Sequence, residues 1–343
     1  MDLIILQAIQ ELTLEGLPEH GIELDDDCII HPVDREVREL SENILRPFVG
    51  MIHHEAIISH ATAVNYVKQV SDVPVDDESA RRFLLRTMAW VQHFLFSLWL
   101  VKDNSGNTGD GHLLLAEVGR GICGFWSQRP GVLNFTAECH RIPTVFSKDE
   151  VEEAVILFRR MKEITPQGEW RFDAPRPSGL VFDSRMVRTI YYAQAARASA
   201  EIGVKLAFQC LCFESLFASS ADSISHRVSE RAAILVGTSG PESRAVYADI
   251  RTLYSARSNV VHGEPIKARS IPKLREVAQR ADSHLRQAIR RILETGALLE
   301  LFSKNDAKRI DEHFLRAIFP GEPPAAATGE APPTTAGRAP PEG

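Results

Sequence analysis

Cysteine is scarce in this chain, and its placement suits neither of its structural uses. The 343 residues hold five, Cys28, Cys123, Cys139, Cys210 and Cys212. The odd count, the absence of any C-x-x-C and the lack of histidines at ligand spacing argue against a disulfide framework and a zinc module, and reduced thiols are expected. Long apolar runs are missing as well. The most hydrophobic stretch, 89–101, contains Gln92 and His93 and falls short of the roughly 20 residues a membrane helix needs, so a buried helix is expected there and no membrane partner. Residues 1–7 carry neither a basic leader nor an adequate hydrophobic region, so a cytoplasmic protein is expected. No internal repeat is present.

Several near-motifs fail on spacing or context. His53, His54, Glu55 and His60 lack the i, i+4 histidine pair of H-E-x-x-H, so they are expected to be surface or half-buried side chains. Gly119, Gly121 and Gly124 spell G-x-G-x-x-G, but the run continues through Phe125 and Trp126 to Pro130 and another strand-like segment, where a dinucleotide fingerprint would open a helix. Cys139 and His140 are adjacent without a recognisable third member of a triad. No metal and no cofactor is expected.

Charge divides the chain. The net charge is −7, yet residues 1–182 hold 17 Lys and Arg against 28 Asp and Glu, while 183–302 hold 17 against 12. A basic surplus in the second region suits a phosphate-bearing partner, and it also suits an ordinary solvated face.

The first half reads as an α+β accessory domain, 1–146. Strands are expected at 3–6, 22–24, 112–118, 122–126, 132–136 and 142–146, with a turn at 25–27. Helices are expected over 33–44, ending at Pro47, then over 53–68, and from an Asp76 or Asp77 cap to Leu100. A polar loop, 102–111, separates the last helix from the later strands. Ser147 and Glu150 form an S-x-x-E capping box ahead of a helix with Val151, Ala154, Val155, Phe158 and Met161 on one face. With the Pro- and Arg-rich loop at 166–179 it makes a linker region, 147–182.

Beyond it the chain reads as an all-α bundle, 183–302. Asp183 is expected to cap a first helix to about Ala200; Leu206, Cys210, Phe213 and Phe217 stripe a second, and Val228, Ala232 and Leu235 a third that Gly237 stops. Pro241 opens a fourth, striped by Val246, Ile250, Leu253 and Val260 or Val261, and Ser270 opens a fifth through Leu274, Val277, Ala281, Ala288 and Ile292. A last helix is expected over 303–319, followed by a Pro/Ala-rich tail, 320–343, that is expected to be disordered.

The fourth helix ends in Tyr254, Ser255, Ala256, Arg257, Ser258, Asn259, Val260, Val261, His262 and Gly263. Arg257 carries a permanently charged planar fork suited to phosphate, and His262 exchanges protons near neutral pH. Positions i and i+5 lie about 140° apart on a helix, so the two converge only at a helix end or across two subunits. Gly263 and Pro265 supply such an end; the plainer alternative is a C-cap alone.

Cys210 to Phe217, Ser219, Ser220, the run from Ser223 to Gly237, and then Tyr254, Arg257, His262 and Gly263 occur in an order that resembles the Apea-like branch of the HEPN superfamily. The resemblance runs from near Gln209 to Gly263. It implies a helical bundle acting as a homodimer, and a metal-independent endoribonuclease with an Arg-x4-6-His motif in toxin or antiviral defence systems, with RNA as partner. Carried over by position, Arg257 and His262 are the catalytic pair. Many relatives place Asn, Asp or His directly after the arginine; here Ser258 stands there and Asn259 follows, and both are candidates for substrate binding. Glu214 is a candidate to orient Arg257 or His262, or else pairs with Arg227 or Arg231, and Tyr254 lies one turn before Arg257. Some HEPN domains are non-catalytic modules for RNA or nucleotide binding and dimerisation, which is the alternative function.

Overall fold

The computed structural model describes residues 2–25, 28–61, 63–70, 76–117, 121–129, 133–164, 184–220, 222–261 and 266–319. A six-stranded antiparallel sheet fills the first half. It is built from β1 (Asp2–Gln10), β3 (Ile22–Asp25), β4 (Cys28–Pro32), β5 (Ala63–Val70), β6 (Asn107–Glu117) and β7 (Gly121–Gln128), in the order β3-β4-β5-β1-β6-β7. β2 (Leu12–Leu14) pairs in parallel with β8 (Thr144–Phe146). β1 is central and longer than its expected 3–6. Leu3 and Ile5 pack on one side of the sheet, Ile4, Leu6 and Ala8 on the other, so a strand buried on both faces reads as an unbroken apolar run.

α1 (Arg35–Leu40) is capped by Asp34 and passes through a π turn at 41–45 into α2 (Arg46–His60). This corrects the helix expected to end at Pro47. Proline stands in the first turn of α2, where its missing N–H costs nothing, and the interruption falls instead at Gly50, with φ 75°. The helix expected over 53–68 is also corrected, because 63–70 is the strand β5. Val64 and Tyr66 face the α1–α2 layer and Ala63 and Val67 the opposite layer, so apolar residues on both faces hid the two-residue period. Residues 133–136 form no strand, against expectation: Asn134 is tied into the 102–107 loop by bonds to Gly106 and Asn107. Of the polar loop read at 102–111, residues 107–111 belong to β6 instead, and Asn104 and Ser105 are buried.

α3 (Asp77–Val101) starts at an Asp76–Ser79 capping box and is buried along most of its length. Leu84 and Met88 pack on the sheet, Trp90, Phe94 and Leu98 pack with Val151, Ala154 and Phe158 of α4 (Lys148–Ile164), and Phe96, Trp99 and Leu100 enter the core of the second half. Among the described residues it is the one helix long and apolar enough to cross a membrane, and 83% of its apolar window is buried inside the protein. α4 has its expected capping box and buried face.

The second half is helical: α5 (Arg185–Ala198), α6 (Ile202–Phe217), α7 (Ile224–Val236), α8 (Gly240–Val261), α9 (Ile271–Glu294), α10 (Gly296–Phe302) and α11 (Ala307–Ile318). The architecture is therefore mixed, a sheet-containing first half and a helical second half, as expected. Ser270 stands at the start of α9, as expected. Two details differ: Ser184 caps α5, its hydroxyl accepting from Val187 N, and two helices, α10 and α11, replace the single one expected from 303, with Asp306 as the cap of α11. The expected turn residues 26–27, the linker residues 165–183 and the tail 320–343 lie outside the described residues.

α6 is the pivot of the bundle. Its Leu206, Cys210, Phe213 and Phe217 are fully buried, and buried arginines satisfy the carbonyls at its C-terminus. Arg185 donates to Ala218 O at 2.7 Å and to Ser215 O and Leu216 O at 3.2 Å, and Arg231 donates to Phe217 O at 2.7 Å. Polar contacts also join the halves: Trp99 Nε1 donates to Asp282 at 3.1 Å, and the Arg197 guanidinium lies 5.7 Å from the Trp99 ring centre.

Candidate functional site

α8 is aligned by its own apolar stripe. Val246, Ile250 and Leu253 are buried against α6, α7 and α9, and Asp249 clamps α8 to α9 through Arg280 and His284, each at 2.9 Å. That alignment carries Tyr254 and Arg257, at i and i+3, toward α6. On α6 the residues they meet are Cys210 and Glu214, at i and i+4 and so also on one face.

The four side chains sense one another. Burial raises the Tyr254 phenol far above its ordinary value, the charge of Glu214 adds to the effect, and Arg257 opposes it. Burial pushes the Cys210 thiol up to about 12, again with Glu214 adding and Arg257 opposing. Tyr254 therefore stays a neutral phenol and Cys210 a neutral thiol, which removes both as bases or nucleophiles. Arg257 is half-buried. Its Nε is buried with no hydrogen-bond partner among the described residues, whereas Glu214 acts on the Tyr254 phenol through both charge and hydrogen bonding. A buried donor left unpaired is costly, and such groups concentrate where a ligand completes the bonding.

The expected site residues are distributed as follows. Arg257, Tyr254 and Glu214 come together in the α6–α8 seam. Ser258 lies half-buried in the last turn of α8, and His262 and the side chain of Asn259 lie outside the described residues. Glu214 does not join the arginines that were its alternative partners: Arg231 engages Asp311, and Arg227 binds serine hydroxyls. Cys210 was read only as a packing residue, and its exposure to the charge of Arg257 depends on how α6 and α8 pack, which no local pattern reports.

Of the histidines expected to be at the surface or half-buried, His54 is buried, and the side chains of His53 and His60 lie outside the described residues. Gly121 opens β7 in an antiparallel pair with β6, and no helix follows the glycine run. Cys139 has a positive φ of 64°, and burial raises its thiol rather than activating it. Among the described residues no group of three His, Cys, Asp or Glu side chains is placed to hold a metal ion. Comparison with known proteins returned no matching family model, no matching curated protein and no matching solved structure.

Proposed function

We propose that this protein is a metal-independent endoribonuclease of the HEPN type, a cytoplasmic homodimer acting as a toxin or in defence against phage. The observation that carries the reading is Arg257: a guanidinium near the end of a bundle helix, half-buried, with an unpartnered Nε and no ion pair among the described residues. An arginine of purely structural use normally meets a carboxylate or a carbonyl, as Arg231 does here.

In this mechanism the ribose 2′-OH is the internal nucleophile. His262 takes its proton, the O–P bond forms, and the 5′-oxygen leaves with a proton, giving a 2′,3′-cyclic phosphate. Arg257 stabilises the anionic phosphorane, and Ser258 and Asn259 hold the phosphate. Two copies of the pair in a dimer divide the acid and base tasks. Glu214 and Tyr254 are positioning residues that hold Arg257 at the seam.

The test is incubation of the purified protein with mixed RNA in EDTA. Cleavage to 2′,3′-cyclic phosphate ends that is lost in Arg257→Ala and His262→Ala supports the reading. General acid–base catalysis contributes about 10²–10⁴-fold, so His262→Ala should remove most of the activity. The burial of Tyr254 and the partial burial of Arg257 between α6 and α8 favour a second reading, a non-catalytic module that binds RNA or a nucleotide and dimerises. Intact RNA with retained binding would identify it.

A further inference from the structure

A second concentration of donors lies at the connection between α6 and α7, apart from the Arg257 seam. Arg227, in the first turn of α7, donates from Nη1 to Ser219 Oγ at 3.3 Å and to Ser220 Oγ. Arg231, one turn further on, is buried, donates to Ser219 Oγ at 3.2 Å, and holds Asp311 of α11. Arg251 reaches across from α8 and donates from Nη1 to Ser225 Oγ at 2.6 Å. Three guanidiniums thus meet three hydroxyls around one connection.

Their charge is incompletely balanced. Among the described residues Asp311 is the carboxylate paired with the group, taken by Arg231 and by the Ser219 hydroxyl, with Arg227 adding to the positive field it experiences; Asp222 lies exposed in the same connection. Neither Arg227 nor Arg251 forms an ion pair among the described residues. Each guanidinium has five N–H donors, and the bonds made here use one nitrogen of Arg227 and one of Arg251. A serine that accepts from arginine still has its O–H to give. With Ser220 and Arg251 exposed and Arg227 and Ser225 half-buried, the group offers solvent mainly donors, the complement of a phosphodiester.

The group is also continuous with the proposed active site. Arg251, Ser255 and Ser258 fall at i, i+4 and i+7 on one face of α8, with Ser255 exposed and Ser258 half-buried. Arg251 and Ser258 are separated by about 10 Å along the axis, the length of about three stacked nucleotides. We infer that Arg227 and Arg251, with Ser220 and Ser225, form a second phosphate site that anchors the RNA backbone a few nucleotides from the scissile bond. This inference rests on the ribonuclease reading for its ligand, but its test does not require cleavage.

The test measures fluorescence anisotropy of a labelled single-stranded RNA of mixed sequence, in EDTA, on a His262→Ala background so that the RNA stays intact. Arg227→Ala with Arg251→Ala should weaken binding about tenfold or more and lower the salt slope by about 1.4 for two lost single-strand contacts. Lys148→Ala with Lys308→Ala, two exposed cations on α4 and α11, should stay within about twofold of the parent. Ser220→Glu, which places a carboxylate against Arg227 without removing any packing, should weaken binding as the double variant does. If both Arg227/Arg251 and Ser220 variants bind like the charge-matched control, the anchor is refuted while cleavage by the parent enzyme is untouched. If the His262→Ala protein binds no RNA, the anchor is refuted as well, and cleavage by wild-type protein in EDTA then reports on the ribonuclease reading alone. Weakened binding in the Arg227/Arg251 variant of a protein that never cleaves upholds the anchor and overturns the nuclease.

Discussion

Arg257→Met distinguishes a phosphate ligand from a structural strut. Methionine keeps a long flexible stem to fill the α6–α8 seam and removes only the guanidinium. Breaking a buried ion pair costs about 3–5 kcal/mol, but Arg257 has no ion pair among the described residues, so that loss does not arise. Any charge attraction to the half-buried Glu214 in a partly solvated seam is on the order of 1 kcal/mol or less. Against this, the unpaired Nε no longer has to be buried, which acts in the opposite direction. The melting temperature should therefore move by a few degrees at most. Cleavage should fall about 10²–10³-fold, the usual effect of deleting one donor to a developing oxyanion. Arg257→Lys, which keeps the charge and loses the planar fork, should fall between the two. Cleavage of labelled RNA in EDTA and thermal melting followed by circular dichroism measure both quantities. A variant that cleaves at the wild-type rate, or one that loses stability in proportion to activity, would refute the reasoning.

Two further outcomes follow from buried groups elsewhere. Burial, reinforced by the charge of Asp282, pushes the Asp103 carboxyl up to about 6 from an ordinary value of 3.8. A carboxyl whose folded value is raised takes up its proton more readily in the folded state, so the stability it contributes is present at low pH and is lost as pH rises from about 4 to about 6. Asp103→Asn should be more stable than wild type at pH 7.5 by on the order of 1–2 kcal/mol, with the difference vanishing near pH 4; a pH-independent difference in chemical denaturation would contradict this. Brief alkylation of the native protein, read by mass spectrometry, should label exposed Cys123 and spare Cys28, Cys210 and Cys212, which are buried. Rapid labelling of Cys210, whose thiol is held at about 12, would show that the seam is open.

Much of the helical half was legible from the sequence. The stripe of Leu206, Cys210, Phe213 and Phe217 and that of Val246, Ile250 and Leu253 are local patterns, as are the capping box at Ser147 and the helix cap read at Asp76 or Asp77, which falls at Asp76. The sheet was harder to read. β5 carries apolar residues on both faces because layers cover it on both sides, so its two-residue period disappears, and Pro47 marks a helix start that looks like a helix end. Of the candidate site, Arg257, Tyr254 and Glu214 could be named from the sequence, whereas Cys210 as their neighbour and the arginines that gather Ser219, Ser220 and Ser225 could not.

By itself, then, the sequence determined where α5 to α9 run and which stripes they bury, because the helical repeat is read within a few residues along the chain. Only the tertiary structure decided that α3 joins the sheet to the bundle, that Glu214 turns toward Tyr254 and Arg257 and away from Arg231, and that Arg251 meets the start of α7. Those relations depend on which buried faces pack together across long separations in sequence, and the energy that selects them comes from the whole core and not from any one segment.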